Sequence, residues 1–448
     1  MLRRPCVPRP AWEETVRADG LVYVETTDPV TGHTFPYWSE DAYYEVSAAD
    51  CDRLAEACDE LAAMFIMAGD HIIEHQLFAK LGIPAYAVNA IVRTWADDDP
   101  HAYWPSIYGR FDLRWSSSPD LLRADPTLAV PKLLEYNADT PTAFPESTAV
   151  QWNWFLFNQG GRGDQWNNAY EAMTEAWKRN ISLFEARTGR KVTTIHFAYT
   201  SAEESGEDGM NTTLIATTAQ EAGYRVKVLA IEDVQLHATT GASAFLDPTT
   251  IAQVGYFFDP EGEPIEVMFK LYPWEWMFEE AFGRTALWNL AQPDGTLWIE
   301  PPYKALWSNK GILPILWDLF GDDPARSRYL LPAYFEGEQP SGFDRTCVRK
   351  PLLGREGANI TIVVDGEVHT SKGGEYGAEG YVLQQYAPLP LFEGIGGPFR
   401  TVTGVWMIDQ TPAGLCFRET PGERDGLITN NQSRFVPHLI KRQPWKDW

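Results

Sequence analysis

Apolar residues at Cys51, Leu54, Cys58, Leu61 and Phe65 recur at spacings of three and four. That is the period of one face of an α-helix, and Ser47 stands where an N-cap belongs. A second helical stripe runs through Trp166, Tyr170, Met173, Trp177, Ile181 and Phe184 and stops at Gly189. A strand pattern over 192–199 follows, then a helix around 210–222, a stop at Gly223 and a strand over 224–230. Strand, helix, strand predicts a βαβ unit and therefore a parallel pair. Earlier in the chain, 108–115 and 132–137 read as two strands around a polar loop at Ser116–Asp120, an expected antiparallel pair. The strand at 265–271 runs on to Trp274-Glu275-Trp276. Beyond Leu297 the texture changes. A helix over 312–319 precedes short strands near 347–350, 360–364, 368–370, 382–386, 401–408 and 415–418, several joined by glycine-rich turns.

These patterns predict an α/β (α+β) protein in two lobes, 41–295 and 296–448, the first including the hairpin 108–139. Residues 1–40 are rich in Pro and Thr with weak periodicity and read as a wrapping arm. With 448 residues and 44% hydrophobic positions the chain can bury a large core, which excludes a mainly disordered protein. The formal charge of −25 disfavours a nucleic-acid partner and attracts small cations. Five cysteines without CxxC spacing fit a reducing compartment. Cys51 and Cys58 read as small core residues. The basic start Met1-Leu2-Arg3-Arg4-Pro5 leads into prolines, not an apolar core, and the run Ala62–Ala68 is too short to span a bilayer. The expected location is the cytoplasm, without a membrane partner.

The densest chemistry lies in Leu134-Glu135-Tyr136-Asn137-Ala138-Asp139-Thr140-Pro141-Thr142. Alternate residues of a strand point the same way, so Glu135, Asn137 and Asp139 are expected to share one face. Oxygen donors in such a row suit a hard cation such as Mg²⁺. Arg110-Phe111-Asp112 places two charges on one strand face, either a surface ion pair or a phosphoryl contact with a metal ligand. Lys350 closes a strand, and Gly354 and Gly357 frame the next loop, where backbone N–H groups can approach phosphate. Taken alone this is more often a hairpin with a surface lysine. Lys310, before a helix, is ambiguous in the same way. Glu203-Glu204 sits in a βα loop and fits either amine binding or a helix start. His71-Ile72-Ile73-Glu74-His75 matches HxxEH, a zinc-peptidase pattern, but a helix end with polar caps explains it more simply. No GxSxG elbow and no Walker motif occurs.

The order of these motifs carries more than any one. Arg110-Phe111-Asp112, Glu135-Tyr136-Asn137-Ala138-Asp139, Glu203-Glu204, Asn309-Lys310-Gly311-Ile312-Leu313-Pro314, Lys350-Pro351 with Gly354-Arg355-Glu356-Gly357-Ala358-Asn359, Gln384-Gln385 and Leu415-Cys416-Phe417-Arg418 resemble the synthetase domain of glutathionylspermidine synthase, from about Tyr43 to the C-terminus. The resemblance implies an ATP-grasp fold in permuted order, behind a pre-ATP-grasp βαβ substrate lobe. It also implies ATP-driven joining of a carboxylate to an amine through an acyl phosphate. Asp112, Glu135 and Asn137 would bind two Mg²⁺ ions. Arg110 and Arg418 would be the catalytic residues at the transferring phosphoryl group. Lys310, Lys350, Gly354, Arg355 and Gly357 would hold ATP phosphates, and Gln384, Gln385, Tyr386 and Ala387 the adenine. Thr140, in place of the family's serine, would meet the carboxylate substrate, with Glu203 and Glu204 near the substrates. The family's amidase domain has no counterpart here, and the 112–135 connection is longer. Arg434 stands where the family has an acid, which predicts repulsion of a polyamine. A non-ligating nucleotide- or peptide-binding protein is the alternative, and a zinc hydrolase on His71 and His75 a distant third.

Overall fold

The computed structural model describes residues 1–27, 34–96, 99, 102–160, 163–203, 205–238, 255–355, 357–371, 373–374, 376–422 and 433–441. Strand β1 (Leu2–Pro5) pairs antiparallel with β2 (Ala42–Val46). Ser47 caps α1 (Ala48–Glu74). Its hydroxyl accepts from the Asp50 N–H at 3.2 Å while the Asp50 carboxylate accepts from the Ser47 N–H at 2.9 Å. That reciprocal pair satisfies donors a helix start otherwise leaves open. The expected stripe of Cys51, Leu54, Cys58, Leu61 and Phe65 is buried. Leu54, Leu61 and Phe65 each contribute about 1.5–3 kcal/mol by leaving water.

The expected hairpin forms from β3 (Tyr108–Arg114) and β4 (Lys132–Asn137). Arg110 lies opposite Asn137 and Asp112 opposite Glu135, and the register shifts just after Asp112. Such an irregularity re-aims side chains, often beside a site. Helix α2 (Ala169–Thr188) ends at Gly189, whose φ of 72° is left-handed and natural to glycine. Strand β5 (Thr194–Tyr199), helix α3 (Glu207–Glu221) and strand β6 (Arg225–Ala230) make the βαβ unit with parallel strands. Next come β7 (Val267–Leu271), the short helix α4 (Trp274–Glu279) and β8 (Leu297–Ile299), which complete a parallel sheet in the order β8-β7-β5-β6. The strand at 297–299 thus belongs to the sheet of the βαβ unit.

Helices α5 (Lys304–Ser308) and α6 (Ile312–Phe320) lead to a second, antiparallel sheet. It is built from β9 (Ala333–Phe335), β10 (Cys347–Pro351), β11 (Thr361–Val364), β12 (Glu367–Ser371) and β13 (Tyr381–Gln385), in the order β9-β13-β10-β11-β12. The long strands β14 (Phe399–Ile408) and β15 (Thr411–Pro421) then return to the hairpin. With β16 (Arg434–Val436) they form the order β16-β15-β14-β3-β4, and Gly404 of β14 faces Asp112. Finally β17 (His438–Ile440) pairs parallel with β2. Residues of the 1–40 arm therefore share a sheet with residues 438–440, and the hairpin shares one with 399–421. No helix among the described residues is long and apolar enough to cross a membrane.

Candidate active site

Asp112 is the hub. Arg110 Nε donates to its Oδ1 at 2.8 Å and Nη2 to its Oδ2 at 3.2 Å. Arg418 of β15 reaches the same Oδ2 at 2.5 Å, and Asn137 Nδ2 donates to it at 3.1 Å. Gly404 makes this possible, because a Cβ there would meet Cys416 Sγ and Arg110 Cδ. Burial works to raise the Asp112 carboxyl, but Arg110 and Arg418 outweigh it and hold it below the usual carboxylate value. Glu135, across the hairpin, has Lys310 Nζ at 3.5 Å. Burial again pushes this carboxyl up, and Lys310, then Lys350 and Arg418, bring it below its ordinary value.

Lys350, at the end of β10, donates to the Leu134 carbonyl at 3.0 Å and to Gln384 Oε1 at 2.7 Å. Gln384 in turn donates to the Leu133 carbonyl at 3.1 Å. Burial lowers the Lys350 ammonium to about 8, against the opposing pull of Glu135. Beside it opens a cleft. Its polar end carries Asp112, Glu135, Lys350 and Arg418. Its apolar walls include Leu331, Val348, Ile360, Ile362, Leu389 and Val402, and Gln384, Gln385, Tyr386 and Ala387 line it as well. A second, polar cleft on the other side of Glu135 is lined by Asn137, Thr140, Glu275, Ser308, Lys310 and Arg355, among others. The glycine loop crosses its edge. The Gly354 carbonyl accepts from Lys310 Nζ at 2.8 Å, and Arg355 Nη2 donates to Thr140 Oγ1 at 2.5 Å. Gly357 has a left-handed φ of 70° that allows the turn.

The structure therefore brings together Arg110, Asp112, Glu135, Asn137, Thr140, Lys310, Lys350, Gly354, Arg355 and Arg418, with 384–387 alongside. Arg355 lines the second cleft, beside Thr140. Gly357 is in the loop but lines neither cleft. Glu203 lies elsewhere: its carboxylate accepts from the backbone N–H groups of Ser205 at 2.6 Å and Asp208 at 3.4 Å, at the start of α3. Glu204 lies outside the described residues. Asp139 corrects an expectation. The strand ends at Asn137, so Asp139 does not share a face with Glu135; it turns inward to Lys270 Nζ at 2.8 Å and the Trp274 N–H at 2.8 Å. Arg434 corrects another. It is buried, with Glu419 at 2.7 Å, Asp41 at 3.2 Å and Phe399 beneath its guanidinium, so its charge is neutralised locally and offers no free cation to repel a polyamine. His71 and His75 stack at the end of α1, with His75 Nδ1 3.1 Å from the His71 carbonyl. Glu275 and Ser308 also line the second cleft. Ser308 heads the Ser308-Asn309-Lys310 motif, in which the sequence assigns a role only to the lysine, and Glu275 stands in Trp274-Glu275-Trp276, which reads only as the continuation of a strand.

Among the described residues no three His, Cys, Asp or Glu gather as metal ligands. The donor set beside the clefts is two carboxylates and an amide. Asn137 now turns Nδ2 toward Asp112 and Glu135, and rotation of the amide would offer Oδ1 instead. A hard oxygen set of this kind fits Mg²⁺, which keeps further positions for water or phosphate.

A mixed α/β frame sets cationic side chains around two hairpin carboxylates, between an apolar and a polar cleft, and relatives of this chain carry the names of ligases and synthetases, which places it among enzymes of the acid–amine ligase class. The chain belongs to the glutathionylspermidine synthase preATP-grasp family, whose model matches residues 3–441. A Haemophilus influenzae protein provisionally named an acid–amine ligase is 32% identical over 418 residues, 90% of this chain and 91% of that one. Trypanothione synthetase from Crithidia fasciculata is 26% identical over 362 residues, and the Escherichia coli bifunctional glutathionylspermidine synthetase/amidase 24% over 425. These alignments take 75% and 90% of this chain but only 47% and 60% of those longer proteins. Among solved structures, a glutathione synthetase-like effector from Globodera pallida matches with TM-score 0.51 at 11% identity, covering 97% of this chain and 100% of that one. That likeness supports the fold.

Proposed function

We propose that this enzyme uses ATP to activate a carboxylate as an acyl phosphate, which an amine then converts to an amide. The observation that carries the reading is the convergence of Lys310, Lys350, Arg110 and Arg418 on Asp112 and Glu135, at the polar end of an otherwise apolar cleft. The apolar walls and residues 384–387 suit an adenine ring. Lys350 and Lys310 suit the phosphates, and the loop with Gly354, Arg355 and Gly357 lies over them. Arg418 and Arg110 hold the phosphoryl group while charge moves from ATP to the carboxylate oxygen. A carboxylate is a poor electrophile, and phosphorylation turns one oxygen into a leaving group. Thr140 and Arg355 hold that carboxylate in the second cleft. Asp112, Glu135 and Asn137 would hold two Mg²⁺ ions, which neutralise phosphate charge when bound.

In this reading the hairpin 108–139 carries metal-binding and catalytic residues to the nucleotide lobe, 296–448, and the lobe 41–295 serves the substrates. Both substrates are small molecules or peptides, and the protein works in the cytoplasm, in keeping with its free cysteines. The test is an ATP-consumption screen of carboxylates crossed with amines, with the product identified by mass. An amide of the combined mass less water, formed with stoichiometric ADP, is expected. ATP binding without turnover across the whole grid would favour a nucleotide-binding protein instead.

A further inference from the structure

The second cleft contains an acid that nothing in the reading above uses. Glu275, in α4, lines it together with Thr140, Ser308, Lys310 and Arg355. Its neighbours already have partners. Glu135 faces Lys310, Asp139 is taken by Lys270 and the Trp274 N–H, Lys310 holds the Gly354 carbonyl, and Arg355 holds Thr140. Among the described residues, no side chain hydrogen-bonds the Glu275 carboxylate. It is therefore a charge left open toward a cavity that adjoins the phosphate lysines. Glu275 is half-buried, and its carboxylate is balanced by its own backbone N–H and, through space, by Arg355 and Lys270; a bound cation supplies the close side-chain partner it lacks.

We propose that Glu275 recognises the ammonium group of the acceptor amine in this cleft and takes its proton. The inference rests on the acyl-phosphate reading and names the residue that serves its second substrate. In the step, an alkylammonium gives one proton to Glu275. The freed nitrogen lone pair forms the new C–N bond. The bond from the acyl carbon to the phosphate oxygen breaks, and phosphate leaves with that electron pair and takes the second nitrogen proton. Glu275 returns its proton to water. The charged groups around it are Asp139 beyond β4, Lys270 of β7 and Arg355 of the glycine loop. Burial first, and then Asp139, raise the Glu275 carboxyl above its ordinary value, which suits a proton acceptor. Glu203, the other acid considered for this task, is already engaged at the start of α3.

The test uses the full chain with Mg²⁺, ATP and a carboxylate panel that includes glutathione. Two kinds of nucleophile are compared: alkylamines, spermidine among them, and hydroxylamine, which is uncharged near neutral pH and traps an acyl phosphate as a hydroxamate. Glu275→Gln should lower kcat/KM for the alkylamine by ~100-fold, the scale of a lost general base. Hydroxamate formation and the Mg²⁺-ATP melting shift should change little. Glu275→Asp, which keeps the charge, should recover part of the loss. If Glu275→Gln does not fold, Glu275→Asp is read alone and should weaken the alkylamine selectively. Equal losses for both nucleophiles, or no loss for the alkylamine, overturn the inference and leave the ligase reading standing. A wild-type chain that yields neither hydroxamate nor amide with any donor overturns the reading and the inference together.

Discussion

Two regions of this molecule bury charged side chains, and they do so to different ends. Beneath the site, Lys304 and Glu300 lie 3.2 Å apart with both side chains fully buried, and Lys270 meets Asp139 at 2.8 Å in the same way. Lys304 also donates to the carbonyls of Tyr108 and Ala138, and Glu300 accepts from the N–H groups of Ile107 and Tyr108. The Lys304–Glu300 pair lines neither cleft and ties the hairpin to the parallel sheet; the Lys270–Asp139 pair, equally buried, reaches the edge of the second cleft through Asp139. In the second region Asp112, Glu135, Lys310, Lys350 and Arg418 are also close, but they line clefts. Glu135 keeps 26% and Arg418 14% of its side-chain surface. Burial of charge alone does not mark function. In the proposed reading the charges that open on the clefts do the chemistry.

The largest expected effect breaks the pair that lines neither cleft. Lys304→Met leaves Glu300 buried without its cation, and removing one partner of such a pair costs about 3–5 kcal/mol. Chemical denaturation should show that loss. A variant within ~1 kcal/mol of wild type would show that the pair is not structural.

Next comes the open region. Glu135→Gln should fold and melt close to wild type, yet lose turnover by ~100-fold or more, the scale of a lost electrostatic partner in the transition state. Normal turnover would remove Glu135 from the chemistry, while a collapsed melting temperature would place it with the Lys304–Glu300 pair.

Lys350→Ala addresses nucleotide binding. A ligand at ~100 times its dissociation constant stabilises by about 2.7 kcal/mol, and most of the Mg²⁺-ATP melting shift should vanish in the variant. A retained shift would move the phosphates elsewhere.

The smallest effect is a slope. Burial lowers the free Lys350 ammonium to about 8, and in the proposed reading ATP phosphates would favour its charged form. Above that pH, binding must take up a proton, so ATP affinity should fall by up to ~tenfold per pH unit there. Below it the affinity should be flat from this group. Isothermal titration in buffers of different ionisation enthalpy reads the proton directly.

Much of the open region was legible in the sequence because it is carried by short motifs on strands. The alternation in Arg110-Phe111-Asp112 and Glu135-Tyr136-Asn137 aims four polar side chains one way once the hairpin pairs, and the pairing sets Asp112 opposite Glu135. Helix α1 was legible from its stripe and its Ser47 cap. What sequence reasoning missed lies in contacts far apart along the chain. Arg418 reaches Asp112 across 306 positions, and only β14 between them explains it. Asp139 continued the alternation on paper, but the strand stops at Asn137 and the chain turns Asp139 toward Lys270. Arg434 looked like a free cation because Glu419 and Asp41 are its neighbours only in space. The order β8-β7-β5-β6, which buries Lys270, follows from packing that no local pattern states.

The central claim is that the open region transfers a phosphoryl group to a carboxylate. With the donor found in the crossed screen, its carboxylate labelled with ¹⁸O, one labelled oxygen should appear in the inorganic phosphate for each amide formed. Phosphate without label, or release of AMP and pyrophosphate in place of ADP, would contradict the account.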